Sequence, residues 1–323
     1  MTRFIPRERD AQSTFYAKHL SDDVRGYGGS AYRLQPEHRA LNLAPDIRAE
    51  ATAYFGANQI AWHQHANHAL SSQVSCLNFL MPLATQPKLL ASVIGNALAI
   101  PNPTMLEVER GPDGKPWFVG FEWIGAKDYL NEAGRSGSRT RGANATSADA
   151  VIRFQHEGRV ETVLIEWKYT ESYGAPIPPG GNDVRLKRYR DLAFAPSGPI
   201  RSDLDLTIAD FFWEPFYQLL RQQMLAFQMQ AARENGVERV RVLHISPSMN
   251  KALHSVTSPA LRRFGDNVFE VFRGLLVRPD DFISRSTQDV FGKALAAANE
   301  GSWEARSWAE YLSDHYSSLL SAS

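Results

Sequence analysis

The pattern of apolar and polar positions first predicts three helices. Residues 59–82 and 87–98 carry apolar side chains at a spacing of about 3.6 residues, and prolines limit both segments. The clearest apolar stripe lies at 213–234, and Gly236 suits the position just past its end. Residues 1–48 are polar and lack such a period, so they predict a loosely structured arm.

Strand-like patterns predict two hairpins and one further strand. TMLEVER and PWFVGFEWI flank a turn at 113–114, and DAVIRF and ETVLIEWKYTE flank a second turn at 157–158. RVRVLHIS, at 239–246, predicts a buried strand. Because the helix at 213–234 connects the second hairpin to this strand, the two strands are expected to be parallel neighbours.

These elements predict a mixed α/β fold, with a central mixed sheet flanked by helices and an N-terminal helical extension. We expect an N-terminal arm with helices at 1–100 and a core at 101–250. A C-terminal helical or irregular extension, 251–323, should pack on the same domain. Long loops are predicted at 131–148, which is rich in Gly, Ser and Arg, and at 173–205, which carries the basic run VRLKRYR.

Composition excludes some classes of function but does not identify a binding partner. Of 323 residues, 43% are hydrophobic and 22% are charged, and the net charge is zero. No overall field therefore draws the chain to nucleic acid or to an anionic membrane, although a local basic channel is compatible with this balance. The single cysteine excludes an intramolecular disulfide and fits a reducing compartment. With no apolar signal segment and no long apolar run, we expect a cytoplasmic protein without a membrane partner.

The second hairpin places three charged side chains together. If residues 157–158 form a two-residue turn, Asp149 faces Glu166, with Cβ atoms about 5 Å apart. Lys168 shares the face of Glu166, because side chains repeat every two residues along a strand. A four-residue loop would keep this register, whereas a three-residue loop or a bulge would break it.

Two carboxylates beside an ammonium group favour a metal-dependent site. Carboxylates this close repel each other, and burial increases the repulsion. Mg²⁺ relieves it by binding one or two carboxylates, and it completes its shell with water and phosphate oxygens. The ammonium group would lower the pKa of an attacking water or stabilise the charge that develops on a phosphate. An exposed cross-strand salt cluster is the alternative interpretation.

The motifs SADAVI and IEWK, in which Glu166 follows Asp149 by seventeen positions, resemble the PD-(D/E)XK nuclease superfamily. Ala148 stands where the family name has proline, but that position varies within the family. The resemblance covers roughly residues 60–247 and implies a restriction-endonuclease-like core of helix, three strands, helix and strand. NATSADAVIRF, IEWKYTES and FYQLLRQQMLA are similar, more narrowly, to a bacterial restriction-endonuclease-like group.

The resemblance also implies roles for individual residues. Asp149 and Glu166 match the metal-binding acids, the backbone carbonyl of Trp167 completes the protein ligands, and Lys168 matches the catalytic lysine. The resemblance therefore implies Mg²⁺ as the cofactor, with Mn²⁺ able to substitute.

Two further positions follow from the resemblance. Many members carry an upstream acid that helps to hold metal, and Glu122 is our choice, with Glu107 and Glu109 as rivals. Gln218 resembles a glutamine that follows the ExK motif in some members, so we assign it a catalytic role. A plain surface position is the alternative for each. Residues 221–222 lie one turn on, and a polar ridge there would face the site.

Basic residues cluster in the two predicted loops that flank the site. This placement suits phosphate contacts that position a nucleic-acid strand, although charge runs are usually solvated loops. The clusters comprise Arg135, Arg139 and Arg141 before Asp149, and Arg185, Lys187, Arg188 and Arg190 after Lys168. Arg139, Arg141, Lys187 and Arg188 are the candidate nucleic-acid contacts.

The sequence therefore predicts a Mg²⁺-dependent endonuclease that hydrolyses DNA phosphodiester bonds. A catalytically silent module that binds nucleic acid or a partner on the same core is the alternative, and the neutral net charge favours it slightly. A metal-free structural protein with a surface salt cluster is a third interpretation. The choice between DNA and RNA stays open, and a homodimer is expected only by analogy with other restriction-type nucleases.

Overall fold

The computed structural model describes residues 3–133, 137–143, 145–195, 198–298 and 301–320. The helices are α1 (Phe4–His19), α2 (Arg48–Ala57), α3 (Ser72–Leu80), α4 (Pro87–Leu98), α5 (Asn182–Ala193), α6 (Phe216–Ala231), α7 (Lys251–His254), α8 (Val268–Gly274), α9 (Thr287–Ala298), α10 (Trp303–His315) and α11 (Ser317–Leu320). The strands are β1 (Thr104–Leu106), β2 (Glu109–Arg110), β3 (Pro116–Trp117), β4 (Val119–Trp123), β5 (Ala148–His156), β6 (Arg159–Trp167), β7 (Arg239–Ser246) and β8 (Phe282–Ser286).

Six of the strands form one mixed sheet. The hairpin of β5 and β6 lies at its centre, and β7 and β8 continue the sheet in parallel beside β6. On the other side, β4 pairs with the first half of β5 and β1 with the second half. Helices cover both faces of the sheet, which confirms the predicted α/β architecture with a central mixed sheet.

Alternating side chains of the sheet build two apolar cores. Ile152, Ile165 and Leu243 face the layer that contains α3, α4, α9 and α10. Val151 and Leu164 face the opposite layer, which contains α5, α6 and α8. Because helices that precede and follow the central strands share the first core with the sheet, the two ends of the chain are integral to the packing.

The second hairpin has the predicted register. Glu157 and Gly158 both adopt positive φ, 49° and 80°, which suits a two-residue turn that matches the twist of the strands. His156 pairs with Arg159 across this turn. The helical crossover is confirmed as well, since α6 leads from β6 to β7 and these two strands are parallel.

The first predicted hairpin forms only in part. The strand expected at TMLEVER divides into β1 and β2, and PWFVGFEWI divides into β3 and β4. Only β2 and β3 pair with each other around the turn that contains Gly114, whose φ is 77°. The other two strands pair with β5 instead, because its long edge allows Met105, Val119 and Phe121 to be buried.

The expectation of a loosely structured arm is wrong for α1. Its buried side consists of Phe4, Glu8, Gln12 and Tyr16, which recur every four residues. Two of these four side chains are polar, so the segment has no apolar period although it has a buried face. Glu8 is buried because the hydroxyl of Tyr169 donates a hydrogen bond to it at 2.7 Å.

Two other helices differ from the prediction, one in where it begins and one in that a loop was expected in its place. The helix expected at 59–82 begins only at Ser72, because the side chain of Ser71 accepts the backbone N–H of Val74 and caps the first turn. The loop expected at 173–205 contains α5, in which half of the twelve residues are charged and only Tyr189 and Ala193 are buried. Such a solvated helix leaves little apolar pattern in the sequence.

The C-terminal part contains a strand that the sequence did not indicate. β8, with the sequence FISRS, lies at the edge of the sheet beside β7. Four of its five residues are only half-buried, so the apolar run of a central strand is missing. No helix in the described ranges has both the length and the apolar character needed to cross a membrane.

Candidate active site

Three carboxylate residues form a row across adjacent strands at one end of the sheet. The register of β4 on β5 places Glu122 beside Asp149, between the pairs Phe121–Ala150 and Trp123–Ala148. The register of the second hairpin then continues from Asp149 to Glu166. We call Glu122, Asp149 and Glu166 the acid row. The sequence predicted that the last two acids face each other, and the register agrees; the structure places the first acid in the same row.

Glu166 is buried and fully engaged by protein groups. Its Oε1 lies 2.6 Å from Nζ of Lys168, and both side chains are at most 9% exposed. Its Oε2 accepts a hydrogen bond of 2.9 Å from Nε2 of Gln222 on α6. The backbone N–H of Lys168 donates to the carbonyl of Ile245 on β7 at 2.8 Å, which fixes the segment after β6. Contacts at the end of β6, from α6 and from β7 therefore fix the position of this acid.

Asp149 closes the end of the hairpin with its side chain. Its Oδ2 accepts the backbone N–H of Trp167 at 2.6 Å. The Trp167 indole is buried, donates to the Ser75 hydroxyl at 2.8 Å and packs on Phe79 of α3. The residue whose carbonyl is the candidate metal ligand is thus tied to Asp149 on one side and anchored in the core on the other.

Glu122 is positioned by residues that precede the sheet. It is 3% exposed, and Gln73 at the start of α3 donates a hydrogen bond of 2.7 Å to its Oε1. Nε2 of His63 lies 3.5 Å from the same oxygen. The φ of Glu122 is +50°, in the left-handed region that a side chain with a Cβ rarely adopts. Such strain within a strand persists only where the surroundings impose it, and it commonly marks a functional site.

Burial and mutual repulsion raise the pKa of each acid in the row to about 7. For Glu122 the cause is burial, with a contribution from Glu166. For Asp149 and Glu166 the cause is again burial, to which the neighbouring acids add. Burial opposes the charge of Lys168, but the attraction of the nearby acids, Glu166 foremost, outweighs it and raises the pKa of Lys168 well above the usual value. Near neutral pH the acids therefore share protons while the lysine stays charged.

The donor set of the acid row fits a hard divalent cation. Three carboxylates face a single lysine, so the row carries surplus negative charge once it is deprotonated, and carboxylate oxygens are the ligands that Mg²⁺ and Mn²⁺ prefer. Among the described residues, no three His, Cys, Asp or Glu side chains already surround one point. Instead, Glu166 is bonded by Lys168 and Gln222, and Asp149 by the N–H of Trp167.

The other candidate acids lie outside this row. Glu107 pairs with Arg110 at 2.8 Å at the surface. Glu109 pairs with Arg141 at 3.2 Å and accepts a hydrogen bond from the hydroxyl of Tyr54. Both acids are thus engaged in ion pairs with arginines and are not members of the row.

The candidate glutamine lies one helical turn from the contact with the acid row. Oε1 of Gln218 accepts the hydroxyl of Tyr173 at 3.2 Å. Gln222 is the α6 residue that donates to Glu166, and it also donates to the carbonyl of Ser147. The polar ridge expected at 221–222 therefore faces the site, with Gln222 on the acid row. Gln218 is connected to the site through Tyr173, which lies in the field of Lys168.

The candidate nucleic-acid contacts divide into two groups. Arg139 donates to the carbonyl of Ile124 at 2.7 Å, and Arg141 pairs with Glu109, so both tie their loop to the protein. Lys187 is exposed and Arg188 half-exposed on α5. Those two are directed to solvent, whereas the loop arginines are held by the fold. Arg135 lies outside the described residues.

Sequence reasoning missed Gln73 and His63 as partners of the acid row. Both fell within the one helix predicted at 59–82. Because the helix begins at Ser72, the segment before it can turn toward Glu122, and the backbone N–H of His63 donates to Gln73 Oε1 at 2.9 Å. The only signal in the sequence was Gln73, a polar residue inside an apolar helix, and its position does not show which residue it contacts.

One family model matches the chain from residue 8 to residue 317, and its description is restriction endonuclease associating with ARP. The chain belongs to this family. The match includes α1 from its second turn onward and the helices α9 and α10, so elements outside the central sheet are part of what the family shares. No curated protein and no solved structure matches the chain significantly. Membership indicates a nuclease-like function, and the mixed sheet flanked by helices is consistent with a restriction-endonuclease-like core.

Proposed function

We propose that this protein is a Mg²⁺-dependent endonuclease of the PD-(D/E)XK superfamily that hydrolyses DNA phosphodiester bonds. The observation that supports it is the acid row beside Lys168 at the end of the central hairpin. Three acids whose pKa is raised to about 7 are unfavourable in a purely structural position. Perturbed acids of this kind concentrate at functional sites.

The acids and one backbone carbonyl would hold the cation. Asp149, Glu166 and the carbonyl of Trp167 are the proposed ligands, with Glu122 as an additional acid. Mg²⁺, or Mn²⁺ in its place, would supply Lewis-acid stabilisation of the negative charge on the phosphate. Gln222 and Gln73 orient Glu166 and Glu122, as groups that hydrogen-bond metal ligands commonly do.

Lys168 acts as a fixed positive charge. Its pKa is raised well above the usual value, because the attraction of the nearby acids, Glu166 foremost, outweighs burial, so it stays protonated and does not act as a base at neutral pH. It positions the attacking water and stabilises the charge that develops on the scissile phosphate. Gln218 supports this group through the hydroxyl of Tyr173.

The solvent-facing side of α5 is the proposed nucleic-acid contact. Lys187 and Arg188 would bind phosphates, since such contacts position the strand without reading its sequence. Arg139 and Arg141 hold the loop that leads to Asp149. They would contact the nucleic-acid backbone only at the edge of the bound strand. DNA as the substrate, the cytoplasmic location and a homodimer extend the resemblance to restriction-type nucleases. We also infer that the protein acts with the partner that the family description abbreviates as ARP.

Cleavage of supercoiled plasmid tests the proposal. The wild type with Mg²⁺ should nick or linearise the plasmid, and Lys168→Ala and Glu166→Ala should abolish this. Glu107→Ala is the matched control, because this acid pairs with Arg110 at the surface and should leave cleavage intact. Absence of cleavage of any DNA form with Mg²⁺ or Mn²⁺ by the wild type would reject the proposal.

One observation favours the alternative of a catalytically silent binding module. Both oxygens of Glu166 are already bonded by protein groups, and Asp149 is bonded by a backbone N–H. Calorimetry separates the two functions. Mg²⁺ binding that Asp149→Asn abolishes supports the enzyme, whereas DNA binding that needs no metal and survives this substitution supports the module.

A further inference from the structure

A groove beside α10 lies apart from the acid row. It encloses about 520 Å³, a volume in the usual range of ligand pockets. One wall is a side of α10 on which Trp303, Ser307 and Tyr311 recur every four residues. Residues 45–50, which lead into α2, and Pro82 complete much of the lining. Ser307 and Tyr311 of this stripe are half-buried, whereas Trp303 at its start is exposed.

Apolar surface is exposed in this groove. Trp303 is 64% exposed, which makes it the most exposed large hydrophobic side chain among the described residues. Ile47 and Trp308 also line the groove, although both are mostly covered by the core. Exposed apolar surface surrounded by polar groups marks interaction sites, and tryptophan is enriched among the residues that dominate binding energy.

The charge of the groove is of one sign. Among the described residues that line it, five are acids and none is a lysine or an arginine. Lys18 and His19 pair with one of these acids, Asp314, whereas no ion pair within the described chain neutralises the other four. The five acids are Asp46, Glu50, Glu304, Glu310 and Asp314.

We propose that this groove binds a basic segment of another protein. An apolar side chain of that segment would pack on Trp303, and its lysine or arginine side chains would pair with the surrounding carboxylates. An apolar anchor within a polar rim is the usual anatomy of a protein interface, and complementary charge selects the partner and speeds its approach. The same carboxylates repel nucleic acid, so this surface is separate from the one that would contact DNA and does not depend on nuclease activity.

Selection from a random dodecamer peptide-display library tests the proposal with the full chain. Peptides enriched on the wild type should carry Lys or Arg around a Trp, Phe or Leu. The best peptide is then labelled with fluorescein and titrated by anisotropy. Trp303→Ala and the double variant Glu304→Lys/Glu310→Lys should each weaken its binding at least tenfold.

The control variants change equally exposed positions away from the groove. Val277 is 55% exposed, and Glu37 and Asp266 are exposed acids that do not line the groove. Val277→Ala and Glu37→Lys/Asp266→Lys should bind the peptide as the wild type does. Thermal unfolding of each variant confirms that the fold is retained.

Four outcomes would overturn the proposal. They are the absence of any enriched peptide, enrichment of acidic or uncharged peptides, binding that survives Trp303→Ala, and binding that the control variants weaken equally. Light scattering tests whether a second copy of this chain occupies the groove. Self-association of the wild type that Trp303→Ala abolishes would assign the groove to a second copy of this chain instead of another protein.

Discussion

Gln222 donates a hydrogen bond of 2.9 Å to Glu166, although the two residues are 56 positions apart in the chain. The helix that covers the sheet thus reaches the last acid of the row directly. Gln218, one turn earlier on the same helix, contacts Tyr173 instead. These two glutamines share a helix and differ in what they touch, so they form a matched pair for mutagenesis.

Replacing Gln222 with alanine should lower DNA cleavage by about 10- to 100-fold, because the loss of groups that orient metal-binding acids commonly has this cost. Gln218→Ala should have a smaller effect, since its contact to the site passes through Tyr173. Plasmid nicking at saturating Mg²⁺ measures both. Equal loss in the two variants would show that the bond to Glu166 has no special role.

The stability of the metal-free protein should fall as the pH rises from about 4 to about 7. The folded pKa of Asp149, Glu166 and Glu122 is raised to about 7, against about 4 in the unfolded chain, so the folded state holds extra protons in this window. Their contribution is complete below the unfolded pKa and is lost as the pH rises through the folded one.

Urea unfolding at pH 5, 6, 7 and 8 in EDTA measures this trend. Each group accounts for up to about 1.4 kcal/mol per pH unit within the window. The double variant Asp149→Asn/Glu166→Gln should flatten the fall. A wild type whose free energy of unfolding rises across the window would contradict the raised pKa of the acids.

Mg²⁺ binding should strengthen from pH 6 to pH 8, because the cation competes with the protons that the acid row holds. Calorimetric titrations at both pH values measure the change in affinity, and proton release at pH 6 should accompany binding. Lys168 keeps its charge throughout, since its pKa lies far above this range. An affinity that is the same at both values would place the cation elsewhere.

Glu122→Gln should stabilise the metal-free protein at pH 8 and reduce cleavage. The change removes one of three repelling acids, while an amide oxygen still accepts the bond from Gln73. Glu109→Gln is the contrasting variant, because it breaks the ion pair with Arg141 and should destabilise the fold by about 1–3 kcal/mol. Thermal unfolding compares the two, and a destabilised Glu122→Gln would show that repulsion within the row is minor.

Tyr169→Phe should lower the free energy of unfolding by about 1–3 kcal/mol, because it removes a hydroxyl that donates to the buried Glu8. Tyr27→Phe is the control, since this tyrosine is 42% exposed. Urea unfolding measures both variants. If the two lose the same stability, the tie between α1 and the segment after β6 contributes nothing.

The local part of the fold could be predicted from the sequence. The turn at 157–158 and the alternation beside it determine the register that brings Asp149 to Glu166. The position of β7 beside β6 could be predicted as well, because a helix that connects two strands of one sheet allows only a few topologies. In both cases the signal lies within a continuous stretch of chain.

The support of the site could not be predicted, because its signals are polar and distant. Gln73 and His63 approach Glu122 from a segment that shows no motif. α1 buries glutamate and glutamine on its inner side, and each finds its partner far away in sequence. A single sequence shows the spacing of such residues but not the group that each one contacts in the fold.

The junction of α1 with the C-terminal helices has a consequence for biosynthesis. The hydroxyl of Ser318 donates to Glu8 at 2.7 Å, and Glu8 in turn accepts from Tyr169, the residue after Lys168. This network joins positions 310 residues apart, so it cannot close until Ser318 has left the ribosome. Lys168 is made 150 positions before Ser318, so a nascent chain carries the lysine through that whole stretch without the last bond of the network beside it.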